Sequence, residues 1–186
     1  MEGATGCGWR PSPATSPGSR WTRSSTPRTR PSSAVAVSTA PFHAAAGPRL
    51  LEECRRLRRT THPQGLGVGE AVATPGYDLP ARWVIHTVGP NRHRGQTDPD
   101  LLASCFRRSL DVAAELPART VAFPAVSAGV YGWPVEEVAA VAVASVRDWS
   151  DAMATGPVEL VRFVLFGAAA LAAFERALRR IPPSPR

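Results

Sequence analysis

The run Val121–Pro134, VAFPAVSAGVYGWP, limits the possible folds of this chain more than any other stretch. It begins as a short apolar strand, passes through a turn that contains Gly129 and Gly132, and ends at Pro134, which suits the first turn of a helix. A strand that leads through such a turn into a helix is the repeating unit of layered α/β sheets. The run therefore predicts one such strand-turn-helix unit.

The glycines of this turn favour anion binding. Gly129 and Gly132 can adopt φ > 0 and place no side chain between the backbone amides and a ligand, so successive N–H groups can converge on phosphate oxygens. The following helix dipole favours the same anion, and Glu136 and Glu137 lie where acids complement that dipole. From these residues alone, a purely structural turn explains the run equally well.

A second run, Gly76–Pro90, reads GYDLPARWVIHTVGP, and the two runs together resemble the macro domain, an ADP-ribose-binding module. In that family a strand GYxLPAxxVIHTVGP precedes a phosphate loop FPAISTGVYGxP, and both motifs occur here in that order. The resemblance extends from His43 to Phe174, about three quarters of the chain. Bacterial members include O-acetyl-ADP-ribose deacetylases and ADP-ribosyl hydrolases.

The resemblance implies a three-layer α/β/α macro-domain fold with a mixed, mostly parallel central sheet. We expect residues 43–180 to form this domain, N-terminally incomplete, and residues 181–186 to form a tail. Hydrophobic periodicity from His43 onward also predicts alternating helices and strands. The predicted helices are Pro48–Arg59, Thr97–Glu115, Pro134–Trp149 and Ala168–Arg179, and the predicted strands are Glu70–Thr74, Arg82–Val88, Thr120–Val126 and Leu160–Phe166.

Residues 1–42 do not fit this pattern. They are dominated by Pro, Ser, Thr and Arg, contain a single acid, Glu2, and show almost no periodicity before Ala34–Val37. Taken as written, they predict a disordered leader, so the N-terminal strands of the fold are missing or replaced. A missing central strand leaves an apolar sheet edge unpaired, so we expect the chain as written to be poorly soluble. Ala34–Thr39 is a candidate makeshift strand for the gap, but it cannot restore the diphosphate loop.

Family members begin with a strand ending GDIT, a central strand VDAVVNAAN and a loop GGGGVDGAI, and these strings appear here when the codons are read one base earlier. All 22 basic residues are Arg, as in a GC-rich genome, so Arg and Ser can be assigned CGN and TCN codons. Ala14–Pro17 then permit GDIT, Trp21–Arg30 permit VDAVVNAANS, and Ala34–Phe42 permit GGGGVDGAI. The sequence therefore predicts a one-base insertion or deletion near the His43 codon. A genuine leader that matches by accident is the alternative.

Composition limits the other classes of function. Five Arg and one Glu give residues 1–42 a charge of +4 out of the formal +7, so the remainder is only mildly basic. No folded nucleic-acid-binding motif accompanies these arginines, and we do not expect nucleic acid as a partner. The chain has no apolar run that could span a bilayer and no secretory signal, which predicts a cytoplasmic protein without a membrane partner.

The cysteines and histidines show neither disulfide nor metal-ligand spacing, so no metal site is expected. Cys54 and Cys105 fall within predicted helices and are interpreted as small core residues. His86 lies in an apolar strand, where a hydrogen-bonded core histidine is preferred over a catalytic one. No cofactor is expected.

The resemblance also implies the site. Ligands of open α/β sheets bind beyond the carboxyl ends of the strands, and the family uses the loop there to hold a diphosphate. Tyr131 corresponds to the aromatic that closes over the distal ribose. Phe166 matches the position where relatives stack an aromatic on adenine, and a buried aromatic without a ligand role is the alternative. The implied ligand-binding residues are Ser127, Ala128, Gly129, Val130, Tyr131, Gly132 and Phe166.

Hydrolysis in the family uses the asparagine that ends NAAN and the aspartate of GGGGVDG, which orient and activate a water. Neither residue is present here, nor is the adenine-recognising aspartate of GDI, so no catalytic residue is assigned. Glu136 and Glu137 are interpreted as solvated helix-start residues rather than replacement bases. We expect binding of ADP-ribose or O-acetyl-ADP-ribose, with an ADP-ribosylated protein as a further candidate partner, and impaired hydrolase activity. A non-catalytic reader or an inactive relic is the alternative.

Overall fold

A computed structural model describes residues 10–13, 33–37, 45–153 and 156–180. The strands are β1 (Arg10–Pro13), β2 (Ser33–Val37), β3 (Ala71–Pro75), β4 (Trp83–Thr87), β5 (Thr120–Phe123) and β6 (Leu160–Leu165). The helices are α1 (Pro48–Thr60), α2 (Pro99–Glu115), α3 (Val135–Ala152) and α4 (Ala168–Arg180). A short 3₁₀ turn, Arg92–Arg94, lies between β4 and α2.

The six strands form one sheet in the order β1-β6-β5-β2-β4-β3. Only the β3–β4 pair is antiparallel among these strands, and all other neighbours run parallel. The predicted mixed, mostly parallel sheet is therefore confirmed. Because the parallel strands share one direction, the carboxyl ends of β2, β4, β5 and β6 all lie at the same edge of the sheet.

The main hydrophobic core lies between one face of the sheet and the helices α2, α3 and α4. Alternate strand residues such as Val121 and Phe123 are buried there, as expected for a side-chain period of two. A row of tilted aromatic contacts, with ring centroids 5.3, 6.3 and 4.8 Å apart, joins α2 through β5 and β6 to α4. Its members are Phe106, Phe123, Phe163 and Phe174.

A second, smaller core lies on the other face of the sheet. Val84 of β4 packs there with Leu50 of α1 and with Ala46 and Leu79, whereas the next strand residue, Ile85, belongs to the main core. Successive strand residues point to opposite faces, so α1 lies on the side of the sheet opposite to the other three helices. The predicted three-layer α/β/α arrangement is confirmed.

The structure differs from the predicted leader at two segments of residues 1–42. β2 lies between β4 and β5, with Val35 aligned to both Val84 and Ala122, and β1 pairs with β6 at the sheet edge. The edge that we expected to remain unpaired is therefore paired, because a strand needs only backbone N–H and C=O groups from its neighbour. The rest of this range and the tail 181–186 lie outside the described residues, and the predictions about them stay predictions.

Most predicted elements agree with the structure to within three residues. β5 is shorter than predicted and ends at Phe123, since Pro124 has no N–H for the ladder and Val126 N–H instead donates to its carbonyl at 2.9 Å. α2 is capped by Asp98, whose Oδ1 accepts from Asp100 N–H at 2.9 Å. Among the helices described, none combines the length and the apolarity needed to cross a membrane.

Candidate functional site

The loop between β5 and α3 has the backbone conformation that the sequence predicts for an anion-binding turn. Ser127, Gly129 and Gly132 all have positive φ, at 66°, 82° and 75°. The Gly132 N–H donates to Gly129 O at 2.9 Å, and the Trp133 N–H donates to Ser127 O at 3.4 Å, which closes the loop on itself. A non-glycine residue at φ > 0 is uncommon, and such strain is concentrated at binding sites.

Several donors around this loop have no partner among the described residues. The N–H groups of Val130 and Tyr131 make no hydrogen bond to that part of the chain, and the same is true of the buried Ser127 Oγ and Trp133 Nε1. α3 begins directly after the loop, with Pro134 at its N-cap and no side-chain cap. The first amides of the helix therefore stay available, and its dipole adds a partial positive charge at the same place.

The two sequence motifs meet at Gly89 and Ser127. A Cβ added to Gly89 would clash with Ser127 Oγ, which shows how closely the end of the β4 motif approaches the loop. Glycine is required at position 89 for this approach. The structure thus shows how the two motifs fit together. One motif provides the loop, and the other ends at Gly89, which packs closely against Ser127 of that loop.

Two large apolar side chains near the site are exposed. Val130 is 84% exposed at the tip of the loop, and Phe166 is 74% exposed directly after β6. β6 is the parallel neighbour of β5, so Phe166 leaves the sheet at the same edge as the loop. The alternative of a buried aromatic at Phe166 is therefore wrong. The structure brings Phe166 and the predicted loop residues to one edge.

Glu136 and Glu137 form ion pairs with arginines from other elements. Glu137 Oε2 lies 2.7 Å from Arg92 Nη1, and Glu136 Oε1 lies 3.4 Å from Arg176 Nη2. The side chain of Glu137 is 50% exposed and that of Glu136 is 64% exposed, which agrees with solvated helix-start residues. Such surface pairs contribute about 0–1 kcal/mol each.

Sequence reasoning missed the turn that contains Arg92–Arg94. The Arg92 N–H donates to Tyr131 O at 2.9 Å, and a Cβ on Gly132 would lie 2.6 Å from His93 Cε1. Asn91 and Gly95, with φ 79° at the latter, could have predicted the turn itself. Its contact with a loop about 40 residues away depends on the sheet order, which local patterns do not encode.

His86, Cys54 and Cys105 lie in hydrogen-bonded or buried positions. His86 Nε2 lies 2.9 Å from Thr74 Oγ1 and 3.9 Å from Cys54 Sγ, which agrees with the interpretation as a hydrogen-bonded histidine. Cys105 is fully buried, whereas Cys54 is only half-buried, so the core prediction holds fully for Cys105 alone. Burial raises the pKa of both thiols. Within the described ranges, no group of His, Cys, Asp and Glu residues could hold a metal ion.

The fold and the loop together define a layered α/β protein with a glycine-containing turn at the carboxyl edge of a mostly parallel sheet. The sequence profile described as Macro domain matches residues 35–142. A macro domain-containing protein of Streptomyces nogalater is 53% identical over 137 residues, which are 74% of this chain and 73% of the relative. A Streptomyces griseus macro domain-containing protein is 50% identical over 137 residues, 74% and 75% of the two chains.

Solved structures show the same similarity. The Oceanobacillus iheyensis macrodomain with ADP superposes with a TM-score of 0.69 at 30% identity, and the match covers 82% of this chain and 85% of that one. The Trypanosoma brucei macrodomain in complex with ADP-ribose gives a TM-score of 0.70 at 29% identity, over 80% and 64% of the two chains. The chain belongs to the macro domain family.

Proposed function

We propose that this chain binds ADP-ribose or O-acetyl-ADP-ribose at the loop formed by residues 127–132. The observation that carries the proposal is the loop itself, in which three positive-φ residues and unpartnered amides lead directly into an uncapped helix N-terminus. This combination is suited to a diphosphate, because several N–H donors and a helix dipole act on one anion. The solved relatives that contain ADP or ADP-ribose support the choice of ligand.

The individual roles are assigned by resemblance to the family. The backbone of Ser127, Ala128, Gly129, Val130 and Gly132 contacts the phosphates, and Tyr131 closes over the distal ribose. Phe166 stacks on adenine, for which its 74% exposure leaves the ring accessible. An ADP-ribosylated protein would present the same nucleotide at this edge. Neither a membrane nor nucleic acid is needed, and a cytoplasmic location stays a prediction.

Hydrolysis of ADP-ribose esters or ADP-ribosyl links belongs to the family, and we propose that it is impaired in this chain. The NAAN asparagine and the GGGGVDG aspartate are absent from the sequence, so the two residues that orient and activate the water in the family are missing. We propose further that residues 1–42 are out of frame and that the repaired product is the enzyme. Resequencing the DNA across the Phe42/His43 codons tests this. An error-free sequence that retains the shift means that the gene itself is out of frame, and a corrected base means that the printed sequence is.

Titration calorimetry with ADP-ribose tests the binding proposal. Gly129→Ala should weaken binding about tenfold or more, because a methyl group there faces open space in the protein and would occupy the position of the ligand. Gly65→Ala is the matched control, since Gly65 has a similar φ of 89° and its nearest neighbour is the flexible end of Arg58. Both variants incur the same strain of an alanine at positive φ. If the folded wild-type protein gives no heat at millimolar ADP-ribose, the proposal is wrong.

The same titration, together with a measurement of acetate release, separates a non-catalytic reader from an inactive relic. A non-catalytic reader binds ADP-ribose and releases no acetate from O-acetyl-ADP-ribose. An inactive relic does neither, although it folds. We favour the reader for the chain as written, because the loop, its helix and the exposed aromatic are all present in the structure.

A further inference from the structure

Arg92 contacts the binding loop and its helix in three ways. Its backbone N–H donates to Tyr131 O at 2.9 Å. Its guanidinium carbon lies 5.5 Å from the ring centroid of the buried Trp133, and its Nη1 lies 2.7 Å from Glu137 Oε2 in the first turn of α3. One residue of the β4–α2 connection therefore holds three successive parts of the β5–α3 segment.

The turn that carries Arg92 is itself well fixed. Asn91 N–H donates to Gln96 Oε1 at 2.7 Å, Gln96 N–H donates to Asn91 O at 3.2 Å, and Asn91 Oδ1 accepts from His93 N–H at 3.0 Å. The His93 ring lies so close to Gly132 that a Cβ there would clash with it. The turn is therefore a firm support, and its contacts with the loop are not those of a freely moving side chain.

We propose that Arg92 is a positioning residue that holds the Tyr131 side of the loop in its ligand-binding conformation. This inference rests on the proposed ADP-ribose site. Arg92 acts through the loop and not on the ligand, because its charge is already paired with Glu137 and its guanidinium lies over the Trp133 ring. Arginine suits this role better than lysine, since its planar group can lie over a ring and pair with a carboxylate at once.

Four variants separate this role from a direct contact with phosphate. Arg92→Ala removes all side-chain contacts, and Arg92→Lys retains the charge. Glu137→Gln removes the anchor but leaves the arginine. Glu136→Gln is the matched control, because it removes one carboxylate from the same helical turn on the side that pairs with Arg176.

Hydrogen exchange of the ligand-free protein, read on a peptide covering residues 127–133, measures the loop directly. Arg92→Ala should speed exchange about threefold to tenfold, as expected for the loss of a surface ion pair and a cation–π contact, and Glu137→Gln, which loses only the ion pair, should speed it about twofold to fivefold. Arg92→Lys should restore part of the protection, and Glu136→Gln should leave it unchanged. A peptide from α2 should exchange alike in all variants, and unchanged exchange of the loop in Arg92→Ala would overturn the inference.

Calorimetry with ADP-ribose gives the second result. A positioning role requires both variants to weaken binding, Arg92→Ala about threefold to tenfold and Glu137→Gln, which keeps the cation–π contact, about twofold to fivefold. If Glu137→Gln binds as tightly as the wild type or more tightly, while Arg92→Ala loses affinity, then the arginine contacts the phosphates directly and the inference is wrong. If the wild type binds no ADP-ribose, the proposed function fails, and the hydrogen-exchange result still decides whether Arg92 holds the loop.

Discussion

The strand β2 pairs with β5, and β5 leads into the loop before α3. The strand and the loop nevertheless depend on the sequence in different ways. The loop needs particular residues, because Gly129 and Gly132 have positive φ and Gly89 must lack a side chain where Ser127 approaches. β2, by contrast, aligns with β4 and β5 through its backbone and has the composition Ser-Ala-Val-Ala-Val. An extended segment with small or apolar side chains can fill that place between β4 and β5.

This difference shows how a sheet can accept changed side chains at a position where a binding loop could not. If residues 34–42 are out of frame, then the codons for the first glycines of GGGGVDGAI are read here as Ala34–Val37, which lie in β2. The sheet accepts them, since backbone pairing makes little demand on the identity of small side chains. On the proposed function, catalysis would not accept the change, because the asparagine and aspartate that this chain lacks act in relatives through their side chains.

The largest effect is expected when the reading frame is repaired. The repaired protein should release acetate from O-acetyl-ADP-ribose, or ADP-ribose from a modified side chain, and the chain as written should be roughly 10²–10⁴-fold slower, as expected for missing acid–base groups. In the repaired protein, replacement of the NAAN asparagine should abolish this gain. Equal turnover by both proteins would show that the residues before His43 contribute nothing to catalysis.

The main core should tolerate change least. Phe163 is fully buried and contacts both Phe123 and Phe174. Phe163→Ala should therefore lower the free energy of unfolding by about 3–5 kcal/mol, the usual result of a large cavity in a core. Urea denaturation followed by circular dichroism measures the change. A loss below about 1 kcal/mol would mean that the aromatic row is not packed as the structure shows.

The place of β2 can be tested through its backbone. Val35→Pro removes an N–H from a strand that has neighbours on both sides, and it should cost about 3 kcal/mol or more. Val35→Thr is the control, because it keeps the N–H and a β-branched side chain. If the two variants denature at the same urea concentration, β2 does not occupy the centre of the sheet.

Much of the fold could be predicted from the sequence because its elements are locally encoded. α2 and β6, for example, have clear periodicity and lie within two residues of their predicted bounds. The place of β2 was only an alternative, since five small residues carry no information about which strands they will join. The site was predicted at the loop, where glycine spacing is local. The support from Arg92 was not, because it is a tertiary contact with Tyr131.

The exposed ring of Phe166 should matter for binding and not for folding. Phe166→Ala should weaken ADP-ribose binding by roughly threefold to tenfold, which corresponds to the loss of one aromatic stacking contact. Its urea midpoint should stay that of the wild type, because the side chain is 74% exposed. Phe166→Tyr keeps a stacking ring and should restore the affinity. An unchanged affinity in Phe166→Ala would leave the adenine position unassigned.

The smallest expected effect is on the free energy of unfolding at alkaline pH, compared between Cys105 in the main core and Cys54 beside the smaller core. Burial raises the pKa of Cys105 in the main core, so the folded protein keeps a proton there that the unfolded chain loses above its ordinary pKa, about 8.5. The resulting stabilisation is complete below that pH and is lost as the pH rises through the higher pKa of the folded state. Between pH 8 and 10, Cys105→Ala should flatten the decline in unfolding free energy by less than about 1.4 kcal/mol per pH unit.

Cys54→Ala should change that slope less, since Cys54 is only half-buried beside the smaller core and is more accessible to solvent. Equal slopes in the two variants would mean that the α1 side of the sheet excludes water as well as the Phe106 side does.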